Sequence, residues 1–304
     1  MRGNHVKTKY DLVRAFAPWA MVCSVTIWGY SYVVTKIALN VHTDPLILTA
    51  GCYIYGALGA APLIFIKRHE LLKKGVLTEA MVMGAALFIS KWLQSIGCQY
   101  TTAGKNAFIT GAYVVIVPFF MRLLFKTRLS AVNMAAAVLA LAGIGIISVG
   151  SGFGNIQSGD FITFGASVGF ALHIALNGHF AKRHDPLILG GMQLVFAAIF
   201  SVIACMVTET VPDRQILLPN IQICLIYSGV LGMAAGMILQ SFGQKYVAEN
   251  KAAMILSMES VSGAVFSIIC LHDPVTPRFF IGCMVIFAAL LLVNIQPKKD
   301  HNSR

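Results

Sequence analysis

Few titratable or strongly polar side chains interrupt the apolar runs of this chain, so each one can be weighed singly. Lys91 lies in "ALFISKWLQSIG", with Gln94 three residues on and therefore on the same helical face. A lysine inside a membrane helix costs on the order of 2.5 to 3.5 kcal/mol on insertion scales, so it should face a cavity or a partner, unless it snorkels to the outer surface. Glu259, in "MILSMESVSGAVF", sits too near the middle of its run to snorkel, and Ser262 follows on the same face. It could pair with Lys91, hold a cationic substrate group or carry a coupling proton; the plainer alternative is a helix-to-helix hydrogen bond. His173 and Asn177, four apart in "GFALHIALNGHF", share one face of their helix. A histidine can change charge near neutral pH, but an interhelical hydrogen bond is its commoner use. Gln94 and Gln240 read either as pocket residues or as ligands of backbone at helix ends. Trp28, Tyr30, Tyr32, Trp92 and Tyr113 could wall an apolar pocket, or belong to core packing or an interfacial belt. Lys36 reads as a snorkelling anchor near the outer surface.

The same residues argue against several chemistries. There is no HExxH and no paired acidic motif, so the expectation is a protein that is not an enzyme and uses no cofactor or metal. Seven cysteines fall singly inside apolar segments and read as small buried hydrophobes. "GSGFG" at 150–154 imitates a phosphate loop but lacks the Lys-Ser/Thr that would hold a nucleotide. Gly165-x-x-x-Gly169 and Gly232-x-x-x-Gly236 read as points of close helix packing.

The elements that must position these groups are membrane helices. Of 304 residues, 57% are hydrophobic and only 12% charged, far below the quarter or so charged in soluble domains. Mean hydropathy is +0.76. Apolar runs long enough to span a bilayer recur at about 16–37, 45–66, 77–98, 104–125, 130–149, 157–179, 187–207, 221–243, 251–271 and 276–295. The net charge of +11 lies in short loops between these runs, not on a basic face, which argues against nucleic acid. With the N-terminus inside, 18 of the 23 Lys and Arg residues fall on inner segments, so both termini are expected to be cytoplasmic and the protein to sit in the cell membrane. The basic "MRGNHVKTKYDLVR" before the first run imitates a secretory signal, but the run is too long for one and reads as a retained helix.

Asp-Pro-Leu-Ile-Leu occurs twice, at 44–48 and 185–189, 141 residues apart. "QSIGCQYTTAGKNA" at 94–107 matches "QSFGQKYVAENKAA" at 240–253 at an offset of 146, so the second half holds five extra residues, most simply in the connection near "TETVPDRQILLPN". Each half has five spans, an odd number, so the halves must enter the membrane from opposite sides. The predicted fold is an all-α integral membrane protein of ten transmembrane helices in two inverted five-helix repeats, 1–150 and 151–304. Inverted repeats suit alternating access, because exchanging the conformations of the halves turns an outward-open cavity inward.

"WGYSYVVTKIAL" in the first span, "YTTAGKNAFITGAYVVIVPFFMRLLFKTRLS" across the fourth and "MESVSGAVFSIICLHDPVTPRFFIGCMVIFAALLLV" at the end resemble the EamA family of the drug/metabolite transporter superfamily. The resemblance covers essentially the whole chain. It implies a secondary-active exporter of small metabolites, such as amino acids or related amphiphilic compounds, working without ATP. The chain departs from the family where Glu259-Ser260 replaces Glu-Pro, which questions a helix kink, and where His272-Asp273 replaces Gly-Glu. Residues expected at the substrate are Trp28, Tyr32, Lys91, Gln94, Tyr113, His173, Asn177, Gln240 and Glu259. Expected partners are a small-molecule substrate and membrane lipid, with proton coupling motivated by Glu259 and His173. The competing readings are a polytopic enzyme acting on lipid or peptide, and a channel or sensor with a transporter-like body.

Overall fold

The computed structural model describes residues 2–148, 158–181, 183–212, 214–247 and 249–294, and among them the chain is all helix and connection. Ten helices follow in order: α1 (Arg2–Asn40), α2 (Pro45–Ile66), α3 (Val76–Tyr100), α4 (Ala103–Phe125), α5 (Ala131–Ser148), α6 (Ser158–Phe180), α7 (Pro186–Val207), α8 (219–246), α9 (Glu249–Leu271) and α10 (Pro277–Asn294). The first eight are long and apolar enough to cross a membrane; the apolar parts of the last two, Ile255–Leu271 and Pro277–Leu292, are shorter but lie in the same bundle. α1 starts well before the predicted residue 16, running on from Arg2 through Pro18. The expected boundary at 150/151, the "GSGFG" stretch and the chain end from 295 lie outside the described residues.

The two copies of Asp-Pro do the same local work. Asp44 accepts the N–H groups of Leu46 (2.7 Å) and Ile47 (3.2 Å), and Asp185 those of Leu187 (2.9 Å) and Ile188 (3.4 Å). Each caps a helix whose first residue is proline, where the missing N–H costs nothing. Lys67, just past the C-terminal end of α2, donates to Asp185 Oδ2 at 2.5 Å. The end of α2 therefore meets the start of α7, and the two Asp-Pro copies sit on opposite faces of the bundle. That is the inverted topology read directly from side chains.

Helix neighbours exchange consistently when the halves are exchanged. α3 packs on α6 as α8 packs on α1, α3 on α7 as α8 on α2, and α1 on α9 as α6 on α4, while α2–α7, α4–α9 and α5–α10 pair with their own counterparts. The equivalence holds atom by atom. A Cβ on Gly84 would collide with Gln193 O, Phe196 Cβ and Ala197 N; one on Gly229 would collide with Cys52 O, Tyr55 Cβ and Gly56 N, the same three atoms 141 residues earlier. Gly84 and Gly229 are 145 apart, whereas Gly97 and Gly243, which mark the equivalent crossings of α3 on α6 and α8 on α1, are 146 apart. Four of the five extra residues thus enter before Gly229, two in the connection (208–218 against 67–75) and two in the first turns of α8. The fifth is absorbed inside α8, where Tyr227–Ala235 winds as a π-helix with one residue more per hydrogen-bonded turn.

One other expectation is corrected. Four cysteines are buried as predicted, but Cys23 and Cys270 are exposed on helix faces. α9 runs unbroken through Ser260, so the kink that a proline would bring is absent. α4 instead is interrupted at Ala112, six residues before Pro118. Asp273 accepts from the Gly104 N–H and from the Ser267 hydroxyl, which places an acidic group at the N-terminus of α4.

The face that carries Lys67 and Asp185 also joins His184 Nε2 to Glu79 at 3.1 Å, fastening the α6–α7 turn to the first turn of α3. Burial pushes the Asp185 carboxyl up, but Lys67 and the two capped N–H groups outweigh it and hold the group below the usual aspartate range. A carboxylate depressed in the folded state stabilises above its unfolded value and loses that contribution as pH falls through the folded one. Asp185→Ala is expected to lower thermal stability at neutral pH by about 1 to 2 kcal/mol, mostly as a lost cap. The gap to wild type in a melting series should close only below about pH 4.

Candidate functional site

The exchange pattern leaves α1, α3 and α4 facing α6, α8 and α9 across one interior space. A cavity of about 80 Å³ lies there, lined by residues of those six helices. All nine side chains singled out in the sequence border it: Trp28, Tyr32, Lys91, Gln94, Tyr113, His173, Asn177, Gln240 and Glu259. Sequence reasoning passed over Ser31, Leu87, Thr110, Phe170, Ile174, Met233 and Met237, which complete the wall. The offset of 146 that aligns Gln94 with Gln240 also aligns Leu87 with Met233, Lys91 with Met237 and Tyr113 with Glu259. The cavity is thus built at equivalent positions of the two halves.

Glu259 is 8% exposed and holds the centre of a hydrogen-bonded chain. Tyr32 donates to its Oε1 at 2.8 Å and Tyr113 to its Oε2 at 2.9 Å. Tyr113 follows the break in α4 directly, and the pair Tyr113–Glu259 joins counterpart positions across the α4–α9 contact. Gln94 donates at 3.3 Å to both the Tyr32 and the Thr110 hydroxyls and accepts from Lys91 Nζ at 2.9 Å. Lys91 and Glu259 are therefore linked through Gln94 and Tyr32, not paired directly. Gln94 bonds side chains rather than the backbone of a helix end.

On the other side His173 Nε2 meets Gln193 Oε1 at 2.6 Å, and since a carbonyl oxygen only accepts, the imidazole donates. Gln193 in turn donates to Met237 Sδ at 3.3 Å. His173 thus both borders the cavity and makes the interhelical bond that was its plainer reading. Trp28 donates from Nε1 to Gly232 O at 2.7 Å, inside the π-helical segment, where the ladder is irregular. Gly169 and Gly236 bring their helices against Ser90 and Trp28, so both small-residue patterns serve internal packing.

Three expected groups lie elsewhere. Tyr30 packs edge-on against Tyr227 and Phe266, and Trp92 stacks on Phe88. Lys36 does not snorkel: its ammonium donates to the carbonyls of Cys98 (2.8 Å), Gln99 (3.3 Å) and Thr101 (2.7 Å), a cation at the C-terminus of α3. At this end of the cavity Asn106 Nδ2 bridges Gln94 O and Thr163 Oγ1, and Thr101 donates to the buried Asp160. These bonds tie α3, α4 and α6 together above the cavity.

Comparison with known proteins agrees with the duplication. The model of the EamA-like transporter family matches twice, over residues 15–149 and 157–295. An uncharacterized transporter of Archaeoglobus fulgidus is 28% identical over 283 residues, spanning 93% of this chain and 87% of that one. The uncharacterized transporter YvbV of Bacillus subtilis is 25% identical over 301 residues, spanning 96% and 93%. One solved crystal structure superposes with a TM-score of 0.64 over 92% of this chain and 96% of its own, at 14% identity, which speaks to the fold alone.

Proposed function

We propose that this chain, which belongs to the EamA-like transporter family, is a secondary-active carrier that exports small amphiphilic metabolites by alternating access. The observation that carries the proposal is the cavity walled at equivalent positions by two oppositely oriented halves. Such a cavity can open to either face when the halves exchange conformations, and it needs no nucleotide to do so. The nine residues named above are proposed to contact the solute, with Glu259 as the group that binds and releases a coupling proton. The distribution of Lys and Arg supports cytoplasmic termini in the cell membrane. The two functional halves are proposed to meet near 150/151.

The deciding experiment is counterflow. Proteoliposomes loaded with a pooled panel of unlabelled amines, amino acids, carboxylates and nucleosides are diluted into each labelled solute in turn. A carrier shows transient accumulation of a labelled solute driven by its unlabelled partner. A channel shows only equilibration, and that outcome, from protein that melts cooperatively, would refute the proposal.

A further inference from the structure

The two walls of the cavity are equivalent in position and unlike in chemistry. On α3 stands Lys91, and its counterpart on α8 is Met237. Leu87 on α3 faces its counterpart Met233, and Ile174 and Phe170 add apolar surface beside the methionines. One side thus offers an ammonium, and the other offers thioethers and hydrocarbon.

Lys91 is 5% exposed, and one of its three N–H donors goes to Gln94 Oε1. An ammonium at this depth is costly without a counter-charge. The Glu259 carboxylate does not supply one by contact: Lys91 reaches it only through Gln94 and Tyr32. A ligand ammonium seeking Glu259 would have to share its oxygens with Tyr32 and Tyr113. A ligand anion seeking Lys91 has to displace nothing charged.

Taking the cavity as the carrier's binding site, we propose that its ligands are small organic acids of net negative charge, with the carboxylate against Lys91 and an apolar body against Met233, Met237 and Ile174. The methionines suit bodies of varied shape, because an unbranched thioether repacks readily. Selectivity then falls on charge more than on outline.

The test uses three probes with one apolar body: 3-phenylpropionate, phenylalanine and 3-phenylpropylamine, titrated into the purified full chain in detergent while its melting temperature is followed. The acid is expected to bind at least about tenfold more tightly than the zwitterion or the amine, as one well-placed charge contact affords. Lys91→Met, which installs the residue found at the counterpart position, should erase that preference, and Lys91→Arg should keep most of it. Should Lys91→Met melt far below wild type without ligand, Lys91→Gln serves in its place. Equal or tighter binding of the amine or the zwitterion overturns the proposal, as does stabilisation by the acid that survives loss of the Lys91 charge, or failure of all three probes to stabilise the wild type. Acid binding without counterflow of the same acid would refute the carrier reading and leave this one standing; counterflow confined to amines or zwitterions would do the reverse.

Discussion

Glu259→Gln is expected to abolish accumulation driven by an imposed proton gradient while leaving exchange of labelled for unlabelled solute in place. The amide keeps the shape of the carboxyl group. Its oxygen still accepts from one of the two tyrosines, and the other hydroxyl can turn to accept from the amide nitrogen, so the chain from Lys91 through Gln94 and Tyr32 stays connected. What the amide cannot do is take up and release a proton. Among the described residues bordering the cavity Glu259 is the one carboxylate, so no neighbour inherits the role.

The measurement compares uptake with and without a pH step across the liposome membrane, in wild type and variant, beside a counterflow assay with no step. The expected pattern is complete loss of the gradient response with counterflow within about tenfold of wild type, the penalty of one altered hydrogen bond. Gradient-driven accumulation that persists in the variant would remove Glu259 from coupling. Glu259→Ala separates structure from coupling, because it strands two buried hydroxyls at about 1 to 3 kcal/mol each and should lower the melting temperature, which the glutamine should not.

Much of this geometry was legible in the sequence because membrane helices write it in plain terms. Apolar runs of about twenty residues locate helices, and the repeated Asp-Pro and Gln-Ser-x-Gly words align the halves. Polar residues too costly to face lipid point to the interior, which is why the nine expected side chains converge. What stayed illegible depends on hydrogen-bond register and partner choice. Nothing in the hydropathy of "YSGVLGMAA" distinguishes a π-helix from an α-helix, so the fifth extra residue was assigned to a loop. Lys36 looked like an anchor because its acceptors, three carbonyls at the end of α3, have no side-chain signature. The Tyr113–Glu259 pair was within reach, since the offset of 146 already places the two in register, but position alone does not say that counterparts touch.

Gly84→Leu and Gly229→Leu should each destabilise the bundle severely and by similar amounts. The two glycines hold the same crossing in opposite halves, α3 on α7 and α8 on α2, and at each one an added Cβ would meet backbone atoms of the facing helix within about 3 Å. A flexible side chain could swing aside, but a carbonyl oxygen and an amide nitrogen move only with their helix. The cost should therefore lie at the upper end of overpacking, about 3 kcal/mol or more per site. Gly145→Leu provides the contrast, because its Cβ would find no atom within 4 Å, and its effect should stay within about 0.5 kcal/mol. Melting curves in detergent, read beside the recovery of monodisperse protein, rank the three. If only one of the two crossings proves intolerant, the halves are not mechanically equivalent, and a rigid exchange of their conformations is no longer a sufficient account of transport. If both fail alike, the pseudo-symmetry is a property of the packing that holds the cavity open, beyond its trace in the sequence.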